Sequence, residues 1–339
     1  MNGLDPKYLI DISSYEVLEN IGEGAYGMIL KVKNKKTKKL FVAKISNPET
    51  TDMKMLNREI KLMHYLSHPT IIHFEGYSLK DFSGNDNIVI LMAFAENGSL
   101  GATIRQAIAG KAPSDYNNTV HQIILIGVAK GLALCHENHI IHRDIKPDNI
   151  LLDEHLYPKL ADFGLSKYFD LNNSLQQSIQ AGTPYYMAPE ILKGDDYDRK
   201  ADVYAYGILM YEVIFQECPY PKFRNLGFIT TKFTKAILNN MRPQPLFPIK
   251  TSIQDLMERC WAEDPKDRPT FQEIYDLLTS GFLQDDEDDS YILDDVDKDA
   301  VLDYIDEINK DLEPCDVTLK ELFPPELGYE EDALEKEET

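Results

Sequence analysis

Cysteine is scarce in this chain, with four in 339 residues, and tryptophan occurs once. Cys135, Cys218, Cys260 and Cys315 stand far apart, with no pair at the spacing of metal ligands. That excludes a disulfide framework and a zinc knuckle, and suits reduced thiols in a cytoplasmic protein. No stretch reaches eighteen uninterrupted apolar residues, so no transmembrane helix is expected. The first residues lack the basic-then-apolar pattern of a secretory signal, and Asn2 stands where N-terminal acylation needs glycine. Basic residues are also few, 35 Lys and Arg against 57 Asp and Glu, for a net charge of −22. No nucleic-acid partner is expected from such a balance. Hydrophobic residues make up 43% of the chain, enough for a sizeable core.

The acidity is local. Residues 285–339 hold 23 acidic and 4 basic residues, a balance of −19 that leaves only −3 for residues 1–284. A nearly neutral body with an acidic appendage is the expected organisation, the appendage being partly disordered by self-repulsion. Within it, Val301, Tyr304, Ile305, Ile308 and Leu312 recur at helical spacing, so an acidic amphipathic helix is expected to dock on a partner or on the body itself. Asp295, Asp297, Asp299, Val301, Asp303 and Asp306 also follow the spacing of an EF-hand loop. Ala300 replaces the glycine of its sharp turn, and Asp306 the usual bidentate glutamate, which argues against calcium.

Two segments carry chemistry. Residues 142–149 read His-Arg-Asp-Ile-Lys-Pro-Asp-Asn, and Asp162-Phe163-Gly164 begins thirteen residues after Asn149. Phosphoryl transfer needs positioning and charge neutralisation more than covalent help. Asp144 is placed to orient an attacking hydroxyl and accept its proton, and Lys146 to offset the charge of the moving phosphoryl group. Asn149 and Asp162 offer oxygens suited to Mg²⁺, or Mn²⁺ in its place.

Upstream, Gly22-Glu23-Gly24-Ala25-Tyr26-Gly27 lies between apolar stretches Tyr15–Ile21 and Met28–Val32, and reads as strand, glycine turn, strand. A dinucleotide site would need a helix after the glycines, whereas residues 33–39 are Lys, Asn and Thr. Lys31, Lys33, Lys35, Lys36, Lys38 and Lys39 read as a solvated hairpin rather than an anion site. Lys44 ends the strand Phe41-Val42-Ala43 and needs an inward partner. The best acid is Glu59, on a helix over residues 53–66 whose apolar positions include Leu56, Ile60, Met63 and Leu66.

These motifs, in this order, resemble the eukaryotic protein kinase domain across residues 15–282. The resemblance implies an α+β, two-lobed fold. A small antiparallel sheet with one helix would span about 15–92, a hinge 93–95, and a mainly helical lobe about 96–282, with Gln122–His136 a long buried helix. Residues 1–14 would be an N-terminal extension and 283–339 the acidic tail. ATP is implied in the cleft, under Ile21 and residues Gly22 to Gly27. Ile29, Val42 and Leu151 would enclose its adenine, Met92 would be the gatekeeper, and the backbone of Ala93 and Ala95 would hydrogen-bond it. Met63, Phe74, His142 and Phe163 match the family's hydrophobic regulatory spine, Asp202 the aspartate bracing the catalytic loop, and Arg268 the partner of Glu190 in Ala188-Pro189-Glu190.

Lys146 and Thr183 resemble the serine/threonine form, in which the threonine hydroxyl bridges Asp144 and Lys146. Asn97-Gly98-Ser99-Leu100, Cys260-Trp261 and Arg268-Pro269-Thr270-Phe271 are similar to the tyrosine-kinase-like group. Ile29 and Val42 depart mildly from the usual Val and Ala, and no catalytic position is missing. The implied partners are protein substrates and, because Arg143 precedes Asp144, an upstream kinase or autophosphorylation acting on the loop, with Ser174 and Ser178 the regulatory candidates. The alternatives are a nucleotide-binding scaffold acting through protein contacts and the tail, against which the intact Lys44, Asp144, Asn149 and Asp162 argue, and a small-molecule kinase, against which the full activation segment argues.

Overall fold

The computed structural model describes residues 6–24, 27–46, 53–168, 184–223, 231–283 and 291–310. The smaller lobe holds strands β1 (Tyr15–Gly24), β2 (Gly27–Asn34) and β3 (Leu40–Ser46), helix α1 (Met53–Tyr65), and strands β4 (Phe74–Ser78) and β5 (Ile88–Ala93). The strands form one antiparallel sheet in the order β1-β2-β3-β5-β4. Its register decides what faces where, because side chains alternate along a strand and cross-strand partners share a face. Ile29 pairs with Lys44, Lys31 with Val42, and Val42 with Met92, so these residues share one face of the sheet. The intervening Leu30, Val32, Phe41, Ala43, Val89 and Leu91, with Tyr15, close a separate small core on the other.

The larger lobe begins with α2 (Leu100–Ile108) and α3 (Asn118–Glu137). Short strands follow: β6 (Ile140–Ile141), β7 (Ile150–Leu152), β8 (Pro158–Leu160) and β9 (Lys167–Tyr168). Then come α4 (Pro189–Lys193), α5 (Lys200–Phe215), α6 (Thr231–Leu238), α7 (Thr251–Cys260), α8 (Phe271–Leu283) and α9 (Lys298–Ile308). Ser99 caps α2 by accepting from the Ala102 amide, and Asn117 caps α3 through Thr119 and Val120, as short polar side chains do at helix starts. α3 is long and apolar enough to cross a bilayer, yet it is buried almost all round in the core of this lobe. The α1–β4 connection ties the lobes together: Ile72 N donates to Leu160 O and Leu160 N to Thr70 O, at 2.9 and 2.8 Å.

The larger lobe does not stop at the expected boundary of residue 282. α8 runs to Leu283, and residues 291–310 pack onto α3 and α8, with Ile292, Leu293, Val301, Tyr304, Ile305 and Ile308 buried in the same core. The amide of Gln122, buried on α3, clasps this segment, donating to Tyr291 O at 3.2 Å and accepting from Leu293 N at 3.0 Å. Tyr304 fills a slot over Gly127, where a Cβ would lie 2.0 Å from the tyrosine oxygen. The amphipathic spacing is therefore satisfied within the chain. The EF-hand spacing is not realised, because Asp297 caps α9 through the Ala300 amide and residues 299–306 are helical. Asp299, Asp303 and Asp306 lie on the exposed side of that helix, and among the described residues no group of three or more His, Cys, Asp or Glu gathers to hold a metal. Residues 311–339, including Leu312, lie outside the described residues.

Candidate active site

The glycine turn closes by backbone approach. A Cβ at Gly27 would lie 1.8 Å from Ile45 O, and φ there is +135°, so only glycine brings β2 this close to β3. Gly22 has open space around it, and Ile21 is exposed at the cleft mouth. The backbone of Glu23 and Gly24 continues β1 opposite Met28 and Gly27. Ala25 and Tyr26 lie outside the described residues. Ile29, Val42 and Met92, on the cleft face of the sheet, are half-buried, as is Leu151 on β7 from the larger lobe. Apolar side chains left half-covered on two sides of a cleft suit a flat aromatic ligand. Ala93 and Ala95 flank Phe94, over whose ring Lys31 Nζ sits at 4.4 Å. This cation–π contact to the hinge was hidden in a run of lysines read as solvated.

Lys44 Nζ lies 2.6 Å from Glu59 Oε1 and 3.6 Å from Asp162 Oδ1. Burial alone would favour the neutral amine, but the Glu59 carboxylate and Asp162 hold the lysine above its ordinary pKa, so it stays charged. Glu59 is placed because α1 buries Leu56, Ile60, Leu62 and Met63 against the lobe core.

The second cluster sits below. Lys146 Nζ is 2.6 Å from Asp144 Oδ2, and Asn149 Nδ2 donates to Asp144 O and Oδ2, both at 2.8 Å. With its amide nitrogen engaged, Asn149 keeps its oxygen for another partner. Asp162 has left-handed backbone angles (φ 64°, ψ 70°), and its Oδ1 is buried without a hydrogen-bond partner among the described residues. An amide oxygen and a carboxylate oxygen that no hydrogen bond occupies, with only the more distant Lys44 ammonium beside it, fit a hard cation completed by phosphates and water. Phe163 is fully buried, its ring 5.0 Å from that of His142.

Asp202, buried on α5, accepts from the backbone N–H of His142 and Arg143, each at 2.8 Å, and pairs with His136 Nε2 at 3.0 Å. Burial pushes this carboxyl up, but the bond from His136 and the neighbouring charges hold it below the usual range. This anchor lets Arg143 adopt φ 71°, which sends Asp144 into the cleft. The signal for His136 was only its place on the apolar helix, so sequence reasoning missed it. Glu190 meets Arg268 through two bonds of 2.6 and 2.8 Å. Tyr186 donates to the buried Glu212 at 2.5 Å, a contact with no motif to mark it. Thr183, Ser174 and Ser178 lie outside the described residues.

Residues 15–277 match the family described as the protein kinase domain. A probable serine/threonine-protein kinase of Dictyostelium discoideum is 32% identical over 282 residues, covering 81% of this chain and 20% of that relative. The dual specificity protein kinase shkB of the same organism is 32% identical, covering 77% of this chain and 39% of its own length. Mitogen-activated protein kinase kinase kinase 7 of Bos taurus is 30% identical, at 80% and 44%. The chain thus spans less than half of these curated relatives. A cleft pairing Lys44 with Glu59 above Asp144, Lys146 and Asn149, and a family match over most of the sequence, together show that the chain belongs to the protein kinase family.

Proposed function

We propose that this chain is a serine/threonine protein kinase that transfers the γ-phosphoryl group of ATP to hydroxyls of protein substrates. The observation that carries this is Lys44, held charged by Glu59 and facing Asp162, in the cleft that also presents Asp144 and Lys146. Lys44 would orient the α- and β-phosphates, and Ile21 with residues Gly22 to Gly27 would cover them. Ile29, Val42, Met92 and Leu151 would enclose the adenine, with Ala93 and Ala95 fixing its edge. Asn149 and Asp162 would hold Mg²⁺ or Mn²⁺, which when bound offsets charge on the phosphates. In the transfer, a phosphorus–oxygen bond forms to the substrate oxygen as the bond to ADP breaks. The hydroxyl proton passes to Asp144, while Lys146 offsets charge on the moving group. Thr183 would bridge Asp144 and Lys146.

Relatives named as serine/threonine kinases support the choice of hydroxyl, and the shkB relative's dual specificity makes a tyrosine peptide part of the test. Buried, disulfide-free Cys135 and Cys260 support a reducing, cytoplasmic setting. Regulation belongs to the same proposal: phosphate on Ser178, or on Ser174, would pair with Arg143. The Arg143 backbone is fixed by Asp202, and its guanidinium donates to Leu165 O at 3.3 Å. An upstream kinase or the chain itself would add that phosphate, and the acidic segment beyond α9 would meet a further protein.

The test is transfer from Mg·ATP to serine, threonine and tyrosine peptides by the full chain, beside Asp144→Asn, with phosphosites mapped. Serine or threonine transfer is expected, reduced at least about 10²-fold in the variant. Equal transfer by both proteins would overturn the reading.

A further inference from the structure

Residues 6–14 precede the family match, yet they are built into the smaller lobe. Pro6–Tyr8 forms one 3-10 turn, Leu9 bridges Tyr77 in parallel, and Ile10 N donates to Tyr77 O at 2.9 Å. The neighbouring Gly76 leaves no space for a side chain: a Cβ there would stand 2.5 Å from Ile10 Cγ2 and 2.7 Å from Tyr8 O. The segment therefore lies where only glycine admits it.

Its side chains reach the machinery. The Tyr8 hydroxyl meets His64 Nε2 at 2.5 Å, and the two rings lie 4.1 Å apart. The same ring lies 5.8 Å from that of Phe74. His64 is in the last turn of α1, beside Met63 and five residues after Glu59. At about 100° per residue, that places His64 roughly 140° around the helix from Glu59. α1 is thus gripped on two sides, by Lys44 at Glu59 and by Tyr8 at His64, and rotation about its axis breaks both contacts. The ring also walls a cavity of about 760 Å³ behind the hinge, with His64, Phe74 and Ala93 among its other lining residues. Removing the ring enlarges a space that already exists, so neighbours do not close over the loss.

We propose that Tyr8 is a positioning residue for phosphoryl transfer, holding α1 through His64 and β4 through Phe74 so that Glu59 stays against Lys44. This rests on the kinase reading, and its test therefore includes a readout independent of activity. In the full chain, Tyr8→Ala is expected to lower kcat/KM for ATP by roughly tenfold and to speed amide exchange over residues 57–65 by a similar factor, with α3 and α5 unchanged. Tyr8→Phe, which keeps the ring and loses the hydroxyl, should fall between. Gly76→Ala touches no residue of the cleft and should reproduce the loss. The Tyr8→Ala/Gly76→Ala double variant should be no worse than the worse single, since both disturb one contact. Should the chain transfer no phosphate at all, the exchange comparison still decides. Wild-type exchange in α1 of Tyr8→Ala, faster exchange spread equally over both lobes, or additive losses would each overturn the proposal.

Discussion

Two buried ion pairs, each closed at 2.6 Å, sit in different settings. Arg268 and Glu190 meet in the larger lobe, where the arginine side chain is wholly buried. Its guanidinium also donates to Ala262 O and Lys200 O, at 2.9 and 3.0 Å, and packs over the Tyr204 ring at 5.2 Å, so the pair is held by backbone and a buried aromatic. Lys44 and Glu59 meet at a cleft, 13% and 6% exposed, and one partner rides on a helix held by side-chain contacts. The same pairing chemistry closes a packed interior in the first place and lines the cleft of the proposed site in the second. What separates them is whether the partner left behind can move to water.

Breaking the pairs one at a time tests this. Arg268→Ala strands Glu190 in a rigid interior and should cost about 3–5 kcal/mol, read as a lower denaturant midpoint. Lys44→Met should cut phosphate transfer by roughly 10²–10³-fold while costing only about 1–2 kcal/mol, because α1 can shift to hydrate Glu59. Equal stability losses in the two variants would remove the distinction.

The C-terminal segment sharpens it from the rigid side. Gly127→Ala would drive a methyl group into Tyr304 and Pro158, and about 1–3 kcal/mol of stability should go. Activity per folded molecule should hold at its ordinary value. A fall in specific activity at full folding would show that α9 also serves the cleft.

Glu212 supplies the third case, a buried carboxyl with no ion pair among the described residues. Burial lifts it to about 7, against the pull of the Tyr186 hydroxyl, with Asp148 adding to the rise. The folded chain therefore keeps a proton that the unfolded chain releases near the ordinary glutamate value of 4.5. Its share of stability is complete below that value and is lost as pH rises through 7. Glu212→Gln cannot ionise, so its stability relative to wild type should climb between pH 5 and 8. A difference flat with pH would assign the group an ordinary pKa.

The cluster around Asp144 was legible because spacing within one short loop survives folding almost unchanged: Lys146 and Asn149 both meet Asp144, as their separations suggest. α1 and α3 were legible from apolar recurrence. The ends of the chain were legible only in part. The apolar recurrence from Val301 to Ile308 gave the docked helix α9, but charge dominated the rest of the reading after residue 282 and hid that Tyr291 to Leu293 are clasped by Gln122 on α3. The carboxylate alternation from Asp295 resembled a loop because alternation is blind to a helix start, and Asp297 proved to be a cap. Tyr8, Lys31 and Glu212 carry no local pattern; each gains meaning only from a residue 56, 63 or 26 positions away.

α3 has a consequence for how the chain is made. The elements that cover it, β8, α5, α8 and α9, all lie later in the sequence. During synthesis, residues 118–137 emerge as a bilayer-length greasy segment well before residue 308 completes its shelter. Through that interval the nascent chain offers chaperones, and other nascent chains, an adhesive surface that the finished protein never displays.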